Sequence, residues 1–374
     1  MKTIKILQAT VGNAKDGVTK YICQNYMYID KKVFKMDFIT FDDDIDFKKD
    51  FEKLGAKFYK KPGMFNIIKY LFFMKKLQKD KQYDIIHFNL SYANFIPVLI
   101  AKLVGIKRII IHSHSTQIDE KNSLIRRLKY IVHFIGKQII RYMATDFLAC
   151  SQLAAKWMYP EYVLDNKNYK IINNAINVHE LIFDYKIRQR MRTNLKIDND
   201  TLCIGHVGRF SYQKNQEFLL EIFNEIQKRE KAVLILIGST TSDEFYFKNL
   251  INTKIFSDLK DKVEILGIRN DVKNIMQAMD CFVLSSRFEG LPIVGIEAQA
   301  LSLPCYFSDT ITKEVKITNL VKFISLNKSP EYWAKEIIKC KNIERKDMSK
   351  EIIEAGYDIN TEIKKIETFY KQKK

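Results

Sequence analysis

The sequence predicts an α/β protein made of two doubly wound parallel sheets, and three features of the chain support this fold class. Its 374 residues are too many for one compact core, so we expect two domains. Short runs rich in isoleucine and valine recur, which is typical of parallel strands covered on both faces. A longer amphipathic stretch follows most of these runs, and such alternation indicates strand–helix units.

The candidate strands fall into two sets. The first half of the chain contains 3–11, 36–40, 83–88, 107–112 and 145–149. The second half contains 170–173, 201–207, 232–238, 262–266, 280–284 and 304–307. Helical periodicity between them is clear at 219–227, where apolar side chains recur at the spacing of one helix face.

A polar stretch at 173–185 separates the two sets, and we place the domain junction there. The predicted first domain is 1–178 and the second is 179–356. A C-terminal helix at 359–373 is expected to pack on the first domain, which then also includes 357–374. Two Rossmann-like sheets that face each other leave a cleft at the carboxyl ends of their strands, where ligands bind in such folds.

Cysteine usage and hydropathy predict a cytoplasmic protein. The six cysteines lie far apart and mostly within or beside apolar runs, so we expect free, buried thiols in a reducing compartment. The chain has no signal-peptide layout and no run of 18 or more apolar residues.

The formal net charge of +18 indicates either an anionic partner or a well-solvated, lysine-rich surface. A nucleic-acid partner is not expected, because the chain lacks basic motifs interleaved with aromatic residues. The stretch 122–142 has the pattern of a basic amphipathic helix. It is interpreted either as an interfacial helix on anionic lipid or as a helix packed on the sheet with a solvated basic face.

The segment 207–215 is the first that indicates chemistry. A strand ends at Val207, Gly208 permits a tight turn, and a loop precedes the next helix. Arg209 and Lys214 lie on this loop. Two cations beside a helix N-terminus suit a diphosphate, because both attract negative charge. The alternative is a pair of solvated loop cations.

The second such segment is 285–297, a polar loop and an apolar helix that follow the predicted strand 280–284. The backbone amides of Gly290 and Leu291 are expected to face an anion before the helix begins. Glu289 lies on the loop, and Glu297 lies about two helical turns further on. Carboxylates accept hydrogen bonds from pairs of sugar hydroxyls. The alternative for Glu289 is an ordinary loop carboxylate, whereas a lone Glu297 in an apolar helix needs a partner.

Glu289 and Glu297 resemble the Glu-x7-Glu signature of the retaining nucleotide-sugar glycosyltransferases of family 4, which have the two-domain GT-B fold. Further segments that resemble this family are spread over most of the chain: 84–88, 110–115, 173–177, 208–215 and 266–272. The chain is most similar to the bacterial exopolysaccharide and capsule glycosyltransferases of that family.

The resemblance implies roles in binding the nucleotide-sugar donor. The donor-binding residues are Gly17, Arg209, Lys214, Ile268, Arg269, Gly290, Leu291 and Glu297. Glu289 would contact hydroxyls of the transferred sugar, and Glu297 those of the ribose. Arg209 and Lys214 would hold the diphosphate, while the loop 268–269 would flank the nucleobase, mostly through its backbone.

The resemblance also implies the course of the reaction. The acceptor would attack on the face that the diphosphate leaves, and the departing phosphate would accept its proton, so that neither a protein nucleophile nor a metal or cofactor is needed. His114 would be a polar positioning group beside the donor or acceptor sugar. Two alternatives stay open: His114 is a satisfied strand-end histidine, or His112, on the same face, is the residue that matters.

One loop departs from the family pattern. Asp16 stands where a glycine is common, and its charge would repel a diphosphate unless it caps the predicted helix 17–28. Gly17 can still supply a backbone amide at the helix start. The acidic run 42–46 is interpreted as a solvated loop and not as a metal site.

The expected activity is therefore transfer of a hexose or N-acetylhexosamine from a nucleotide sugar, most simply a UDP-sugar, to a lipid-diphosphate-linked saccharide. Such an enzyme would work in the cytoplasm, peripherally at the inner face of the cell membrane, in capsule or exopolysaccharide biosynthesis. The alternative is a non-catalytic GT-B subunit that stabilises or activates a partner glycosyltransferase.

Overall fold

The computed structural model describes residues 3–12, 17–42, 45–63, 66–120, 122–165, 169–241 and 243–372. It divides into two compact units. The N-terminal unit comprises Met1–Asn174 and Ile359–Lys374, and the C-terminal unit comprises Ala175–Asp358. The boundaries predicted at 178 and 357 lie close to the structural ones at 174 and 359.

Within the described part of the chain, a parallel sheet of seven strands forms the centre of the N-terminal unit. The strands are β1 (Ile4–Val11), β2 (Phe34–Thr40), β3 (Phe58–Lys60), β4 (Ile85–Leu90), β5 (Arg108–Ser113), β6 (Asp146–Ala149) and β7 (Lys170–Ile171). Their order is β3-β2-β1-β4-β5-β6-β7, so the chain starts in the middle and crosses over in both directions. Crossovers in two directions cover both faces of the sheet with helices.

In the described ranges of this unit, seven helices connect these strands. They are α1 (Gly17–Tyr28), α2 (Lys48–Lys53), α3 (Ile67–Lys81), α4 (Phe95–Leu103), α5 (Ser123–Ile139), α6 (Gln152–Met158) and α7 (Glu161–Asp165). Asn66, Asn94 and Asn122 stand before α3, α4 and α5, and their side chains accept hydrogen bonds from first-turn amides. These asparagine caps fix where the three helices begin.

The C-terminal unit is built on a second parallel sheet. Its described strands are β8 (Leu202–Val207), β9 (Ala232–Ile237), β10 (Val263–Gly267), β11 (Cys281–Leu284), β12 (Cys305–Ser308) and β13 (Val321–Ile324), in the order β10-β9-β8-β11-β12-β13. Its helices are α8 (Tyr185–Asn194), α9 (Gln216–Gln227), α10 (Glu244–Ile251), α11 (Lys254–Leu259), α12 (Val272–Ala278), α13 (Ile293–Ala300), α14 (Pro330–Ile338) and α15 (Ser349–Glu354). Short 3₁₀ turns cover Ile140–Tyr142, Val178–Glu180, Lys260–Lys262, Lys313–Val315 and Lys339–Asn342.

The last helix, α16 (Ile359–Lys371), belongs to the N-terminal unit and packs on α1. A buried ion pair holds its end, because Arg108 binds Asp146 at 3.0 Å and also donates to the backbone oxygens of Tyr370 and Gln372. The end of α16 is thereby fixed to strand β5.

The predicted fold class, α/β with two doubly wound parallel sheets, is confirmed by this architecture. Two strands were not predicted, β3 and β13, and both lie at the edge of a sheet. Edge strands are short and partly exposed, so they lack the continuous apolar run that marks a buried parallel strand. The helix predicted at 219–227 is the main part of α9.

Candidate active site

Two neighbouring loops of the C-terminal unit hold the principal candidate residues. Arg209 and Lys214 lie on the loop after β8, and Glu289 lies on the loop after β11. Because β8 and β11 are paired in a parallel sheet, the two loops leave the same edge side by side. Asn215 Nδ2 donates to the backbone oxygen of Ser285 at 3.0 Å, and the Ser285 hydroxyl donates to the backbone oxygen of Asn215 at 3.1 Å. These two bonds connect the loops.

Small residues and one unusual backbone conformation shape the first loop. Asn215 has φ 57°, in the left-handed region that asparagine tolerates better than most residues. Gly238 follows β9, and a Cβ there would lie 2.1 Å from the backbone oxygen of Gly208. A Cβ at Gly208 would lie 2.9 Å from Cε of Lys214. The two glycines thus allow close packing of backbone and lysine side chain.

Lys214 and Glu289 form a nearly buried ion pair between the loops. The Lys214 Nζ lies 2.6 Å from Oε1 of Glu289, which also accepts a hydrogen bond of 2.8 Å from the Ser286 hydroxyl. The side-chain amide of Gln213 donates to Oε2 of Glu289 at 3.1 Å. Glu289 is only 6% exposed, so solvent screens the pair weakly and each charge depends on the other.

Arg209 is connected to this pair through Gln213. The Arg209 Nη2 donates to Oε1 of Gln213 at 3.0 Å, while Nε2 of Gln213 donates to Glu289 and to the backbone oxygen of Phe288. The structure therefore brings Arg209, Lys214 and Glu289 into one cluster. The sequence analysis did not select Gln213, although its place between the two cations in a polar loop was a usable signal.

His206 is a second residue that the sequence analysis missed. Burial lowers the pKa of His206 to about 4, the hydrogen bond of 2.9 Å from its Nδ1 to the backbone oxygen of Val283 raises the pKa, and the Lys214 charge lowers it. The imidazole is therefore neutral with its hydrogen on Nδ1, and Nε2 accepts from Gln216 at 3.3 Å. A histidine inside an apolar strand was the available signal.

The second carboxylate lies on the helix that follows the second loop. Glu297 is in the middle of α13 and is 8% exposed. The helix begins at Ile293, one residue after Pro292, and the loop before it contains Gly290 and Leu291. Glu289 and Glu297 thus lie in one unit, the first on the loop and the second on a largely buried helix.

The loop predicted to flank the nucleobase follows β10 at the same edge of the sheet. Arg269 donates through Nε and Nη2 to the two carboxylate oxygens of Asp271, each at 2.8 Å. Ile268 is 46% exposed. Because Asp271 binds the guanidinium, the backbone of this loop and the Ile268 side chain are the groups best placed to meet a ligand.

The N-terminal unit holds the remaining candidates. His112 lies in β5, and His114 is the residue directly after that strand. The centroids of their rings are 4.0 Å apart. Burial, with a smaller effect of His87, lowers the pKa of His114 to about 3, so its imidazole is neutral. Gly17 is the first residue of α1, and a Cβ there would meet no atom within 4 Å. Asp16 and the predicted effects of its charge lie outside the described residues.

Comparison with known protein families identifies this arrangement. A family model described as "Glycosyl transferases group 1" matches residues 187–359, and one described as "Glycosyltransferase Family 4" matches residues 15–180. The chain belongs to the family 4 glycosyltransferases. The two matched regions contain every candidate site residue from Gly17 to Glu297.

Similar proteins support this assignment along the whole chain. The glycosyltransferase is 25% identical over 368 residues to EpsF of Bacillus subtilis (strain 168), across 95% of this chain and 93% of that protein. It is 26% identical over 250 residues to the UDP-Gal:alpha-D-GlcNAc-diphosphoundecaprenol alpha-1,3-galactosyltransferase of Escherichia coli, across 65% of this chain and 62% of that protein.

Solved structures confirm the predicted GT-B fold of the glycosyltransferase. The crystal structure of Anabaena HepE with UDP-glucose matches with a TM-score of 0.78 and 16% identity, across 98% of this chain and 100% of that one. WaaG, a glycosyltransferase involved in lipopolysaccharide biosynthesis, matches with a TM-score of 0.72 and 13% identity, across 99% and 100% of the two chains.

In the parts of the glycosyltransferase that the structure describes, no group of three or more histidine, cysteine or acidic residues is placed to hold a metal ion. None of the described helices is both long enough and apolar enough to span a bilayer.

Proposed function

We propose that this glycosyltransferase moves a hexose or an N-acetylhexosamine from a UDP-sugar to a lipid-diphosphate-linked saccharide, with retention of configuration, in capsule or exopolysaccharide biosynthesis. The observation that carries this proposal is the buried Lys214–Glu289 pair, to which Gln213 connects Arg209. Two cations and a carboxylate in one cluster suit the point where a diphosphate joins a sugar.

Arg209 and Lys214 would stabilise the leaving diphosphate. Negative charge grows on it as the bond to the sugar breaks, so cations in a poorly solvated site act most strongly in the transition state. Each charge-assisted hydrogen bond would contribute about 1.5–3 kcal/mol. Lys214 has three N–H donors, so it can bind a phosphate oxygen while it keeps Glu289 in place.

The other groups would orient the donor. Glu289 would accept hydrogen bonds from hydroxyls of the transferred sugar, and Glu297 from the ribose hydroxyls. The amides of Gly290 and Leu291, with that of Gly17, would bind phosphate oxygens. The loop at 268–269 would flank the nucleobase through its backbone and the exposed Ile268 side chain.

Retention requires no protein nucleophile in this proposal. The acceptor oxygen forms its bond to the anomeric carbon on the face from which the diphosphate oxygen leaves, and the acceptor proton passes to that phosphate oxygen. His114 would position a sugar hydroxyl. Arg209 and Lys214 would supply the counter-charge that a divalent ion supplies in other glycosyltransferases, so we propose a reaction without metal or other cofactor.

The names of similar proteins support the substrate classes. The Escherichia coli relative is a UDP-Gal transferase that acts on a diphosphoundecaprenol-linked GlcNAc, and CapH of Staphylococcus aureus is a capsular polysaccharide biosynthesis glycosyltransferase. HepE was solved with UDP and with UDP-glucose. The three proteins thus represent a lipid-diphosphate-linked acceptor, the synthesis of a surface polysaccharide and a UDP-linked donor.

Helix α5 supports a peripheral position at the inner face of the cell membrane. In this fully described helix only His133 and Gly136 are buried. Its exposed large apolar residues are Leu124, Ile125, Leu128, Ile131, Phe134 and Ile135. Its basic residues are Arg126, Arg127, Lys129 and Lys137. Anionic lipid suits this combination, because apolar side chains insert below the headgroups and cations pair with them.

The way α5 packs explains why its apolar side chains face outward. A Cβ at Gly136 would lie 1.9 Å from the backbone oxygen of Ala93, so the helix lies directly on the loop before α4. Helix α3, which contacts α4, exposes Ile67, Ile68 and Phe72. The proposed lipid-facing surface therefore extends over one layer of helices in the N-terminal unit.

The test is a screen of UDP- and GDP-sugars for nucleotide release with a lipid-diphosphate-linked saccharide as acceptor. We expect a UDP-hexose or UDP-N-acetylhexosamine to be consumed, and NMR of the product to show the anomeric configuration of the donor. Glu289→Ala should lower turnover by roughly 10²–10³-fold, as for loss of a transition-state contact. The surface variant Glu244→Ala is the control and should keep full turnover. Failure to bind UDP in calorimetry would instead favour a non-catalytic subunit.

A further inference from the structure

A chain of mostly buried polar side chains runs through the N-terminal unit from its last helix to the carboxyl end of β5. Its members come from β1, β4, β5, α16 and the residue after β5: Gln8, His87, Asn89, His112, His114 and Tyr370. The strands β1, β4 and β5 are neighbours in the sheet, so this chain crosses three adjacent strands. Of these residues, the proposed function uses only His114.

The two amide side chains set the direction of the hydrogen bonds. Asn89 Nδ2 donates to Oε1 of Gln8 at 3.0 Å, and Gln8 Nε2 donates to the Tyr370 hydroxyl at 3.3 Å. Because the Tyr370 oxygen accepts from Gln8, we assign the hydroxyl hydrogen to Nδ1 of His87, which lies 2.7 Å away. In the other direction, Oδ1 of Asn89 accepts from Nε2 of His114 at 3.0 Å.

The same donor-to-acceptor direction continues from His87 to His112. Since Nδ1 of His87 is an acceptor, Nε2 of His87 carries the hydrogen and donates to Nδ1 of His112 at 3.3 Å. The hydrogen of His112 is then on Nε2, a buried atom without a hydrogen-bond partner in the described structure. The rings of His112 and Tyr21 are perpendicular, and their centroids are 5.2 Å apart.

Burial leaves a single hydrogen on each of these imidazole rings. It lowers the pKa of His87 to about 3, with a further effect of the Arg108 cation, and it lowers the pKa of His114 to about 3. A neutral imidazole has one hydrogen, so each ring has one donor and one acceptor nitrogen. In His114 the donor is Nε2, which binds Asn89, and the acceptor is Nδ1, for which no described residue provides a hydrogen-bond donor.

We propose that Tyr370, His87, Gln8 and Asn89 are positioning residues that fix the tautomer of His114, so that its Nδ1 accepts a hydrogen bond from a substrate hydroxyl. Tyr370 gives its single hydrogen to His87, which makes its oxygen the acceptor for Gln8. Gln8 therefore presents its carbonyl to Asn89, and Asn89 presents its carbonyl to His114. The kinetic part of this inference rests on the proposed function.

The structure explains why Tyr370 can do this from the end of the chain. Arg108 donates to the backbone oxygens of Tyr370 and Gln372, each at 3.0 Å, while it pairs with Asp146. Helix α16 also binds the first part of the chain, because the backbone amide of Asp30 donates to Glu367 at 2.8 Å. The hydroxyl of Tyr370 is therefore placed by charged, mostly buried contacts on both sides.

The direct test is the tautomer of His114 in the unmodified chain. Long-range ¹H–¹⁵N correlation NMR on histidine-labelled protein distinguishes a protonated ring nitrogen from an unprotonated one, and the six histidines can be assigned by single substitutions. We expect His114 and His87 to carry their hydrogen on Nε2. His114 with its hydrogen on Nδ1 would overturn the proposal, because the network would then run in the opposite direction.

The second test removes one hydroxyl. Tyr370→Phe should give His87 and His114 mixed tautomers and should lower kcat about tenfold, as expected for one lost hydrogen bond. The KM for the nucleotide sugar should change less than about twofold, since the groups proposed to bind the diphosphate, the ribose and the nucleobase are untouched. Tyr26→Phe is the matched control, because its hydroxyl bonds to backbone groups of Phe51, Leu54 and Ala56 and to none of the side chains of this network in the described structure. It should leave the tautomers and kcat unchanged.

The source of the substrate hydroxyl follows from a comparison of two rates. If Nδ1 of His114 binds the donor sugar, Tyr370→Phe should slow both hydrolysis of the nucleotide sugar and transfer to the acceptor. If it binds the acceptor, only transfer should slow. Unchanged tautomers and unchanged rates in Tyr370→Phe would overturn the proposal. A chain that turns over no nucleotide sugar would refute the proposed function, and the tautomer of the unmodified protein would still decide the network.

Discussion

In the N-terminal unit His87, His112 and His114 are buried as neutral groups in one hydrogen-bond network, whereas in the C-terminal unit a lysine and a glutamate are buried as an ion pair. The first arrangement avoids the cost of burying charge, but each of its donors must face an acceptor, so its hydrogen bonds must all run in one direction. The second does not depend on the direction in which its neutral neighbours donate their hydrogen bonds, but each charge needs its partner. Acid should therefore affect the first unit, and removal of one partner the second.

The largest effect that this comparison predicts is acid destabilisation of the N-terminal unit. Burial lowers the pKa of His87, His112, His114 and His133 there, with His206 as the counterpart in the C-terminal unit. Because the folded values lie below the unfolded value, this stability is complete above about pH 6.5 and is lost as pH falls toward the folded values. Each such histidine should cost about 2 kcal/mol between pH 7 and pH 5. Glu362, whose pKa burial raises, acts in the opposite direction as a single group.

The two tryptophans allow each unit to be followed separately, since Trp157 lies in the N-terminal unit and Trp333 in the C-terminal unit. Urea unfolding of Trp333→Phe and of Trp157→Phe should be recorded at pH 7 and at pH 5. The pH difference should be several times larger in Trp333→Phe, which reports on the N-terminal unit. The comparison would be contradicted if the two units unfolded in separate transitions and the free energy of unfolding fell by the same amount between pH 7 and pH 5 in both variants.

The next effect concerns the ion pair of the C-terminal unit. Lys214→Met and Glu289→Gln should each lower turnover by roughly 10²–10³-fold. Each should also destabilise the unit by about 1–3 kcal/mol, because a buried charge loses its partner. The double variant should regain part of that stability, measured by urea unfolding, but none of the turnover.

Surface charges provide the matched control for that cycle. Lys248 and Glu244 pair at 3.4 Å on the exposed side of α10, where solvent screens them. Lys248→Met and Glu244→Gln should change stability by less than about 1 kcal/mol. Equal losses from the exposed pair and from the pair of Lys214 with Glu289 would show that burial does not distinguish them.

The smallest predicted effect is on lipid binding, which should distinguish the outer surfaces of the two units. Leu128→Ser on α5 should weaken binding to vesicles that contain phosphatidylglycerol about tenfold, because a side chain of this size loses its apolar contact. Phe245→Ser is the control, since Phe245 is also exposed but lies on α10 of the C-terminal unit. Sedimentation should show that salt weakens binding of the unmodified chain. Equal weakening by both variants would argue against α5 as the lipid-facing helix.

Local patterns were sufficient for most of the fold. Central parallel strands are covered on both faces, so β9 and β11 appear as continuous apolar runs in the sequence. The edge strands β3 and β13 lack such runs and were not predicted. The cluster of Arg209, Lys214 and Glu289 could be predicted because the loops of neighbouring strands leave one edge of the sheet, although the sequence did not show that Gln213 connects them.

By itself the sequence determined the α/β class, the two sheets, the carboxylate spacing of Glu289 and Glu297 and the family they indicate. Only the tertiary structure decided that Lys214 pairs with Glu289, that the apolar side of α5 faces outward, and that Tyr370 binds His87. Periodicity shows which side of an element is apolar, because it depends on residues a few positions apart. It cannot show which polar groups meet across 283 positions, because those contacts depend on how whole elements pack.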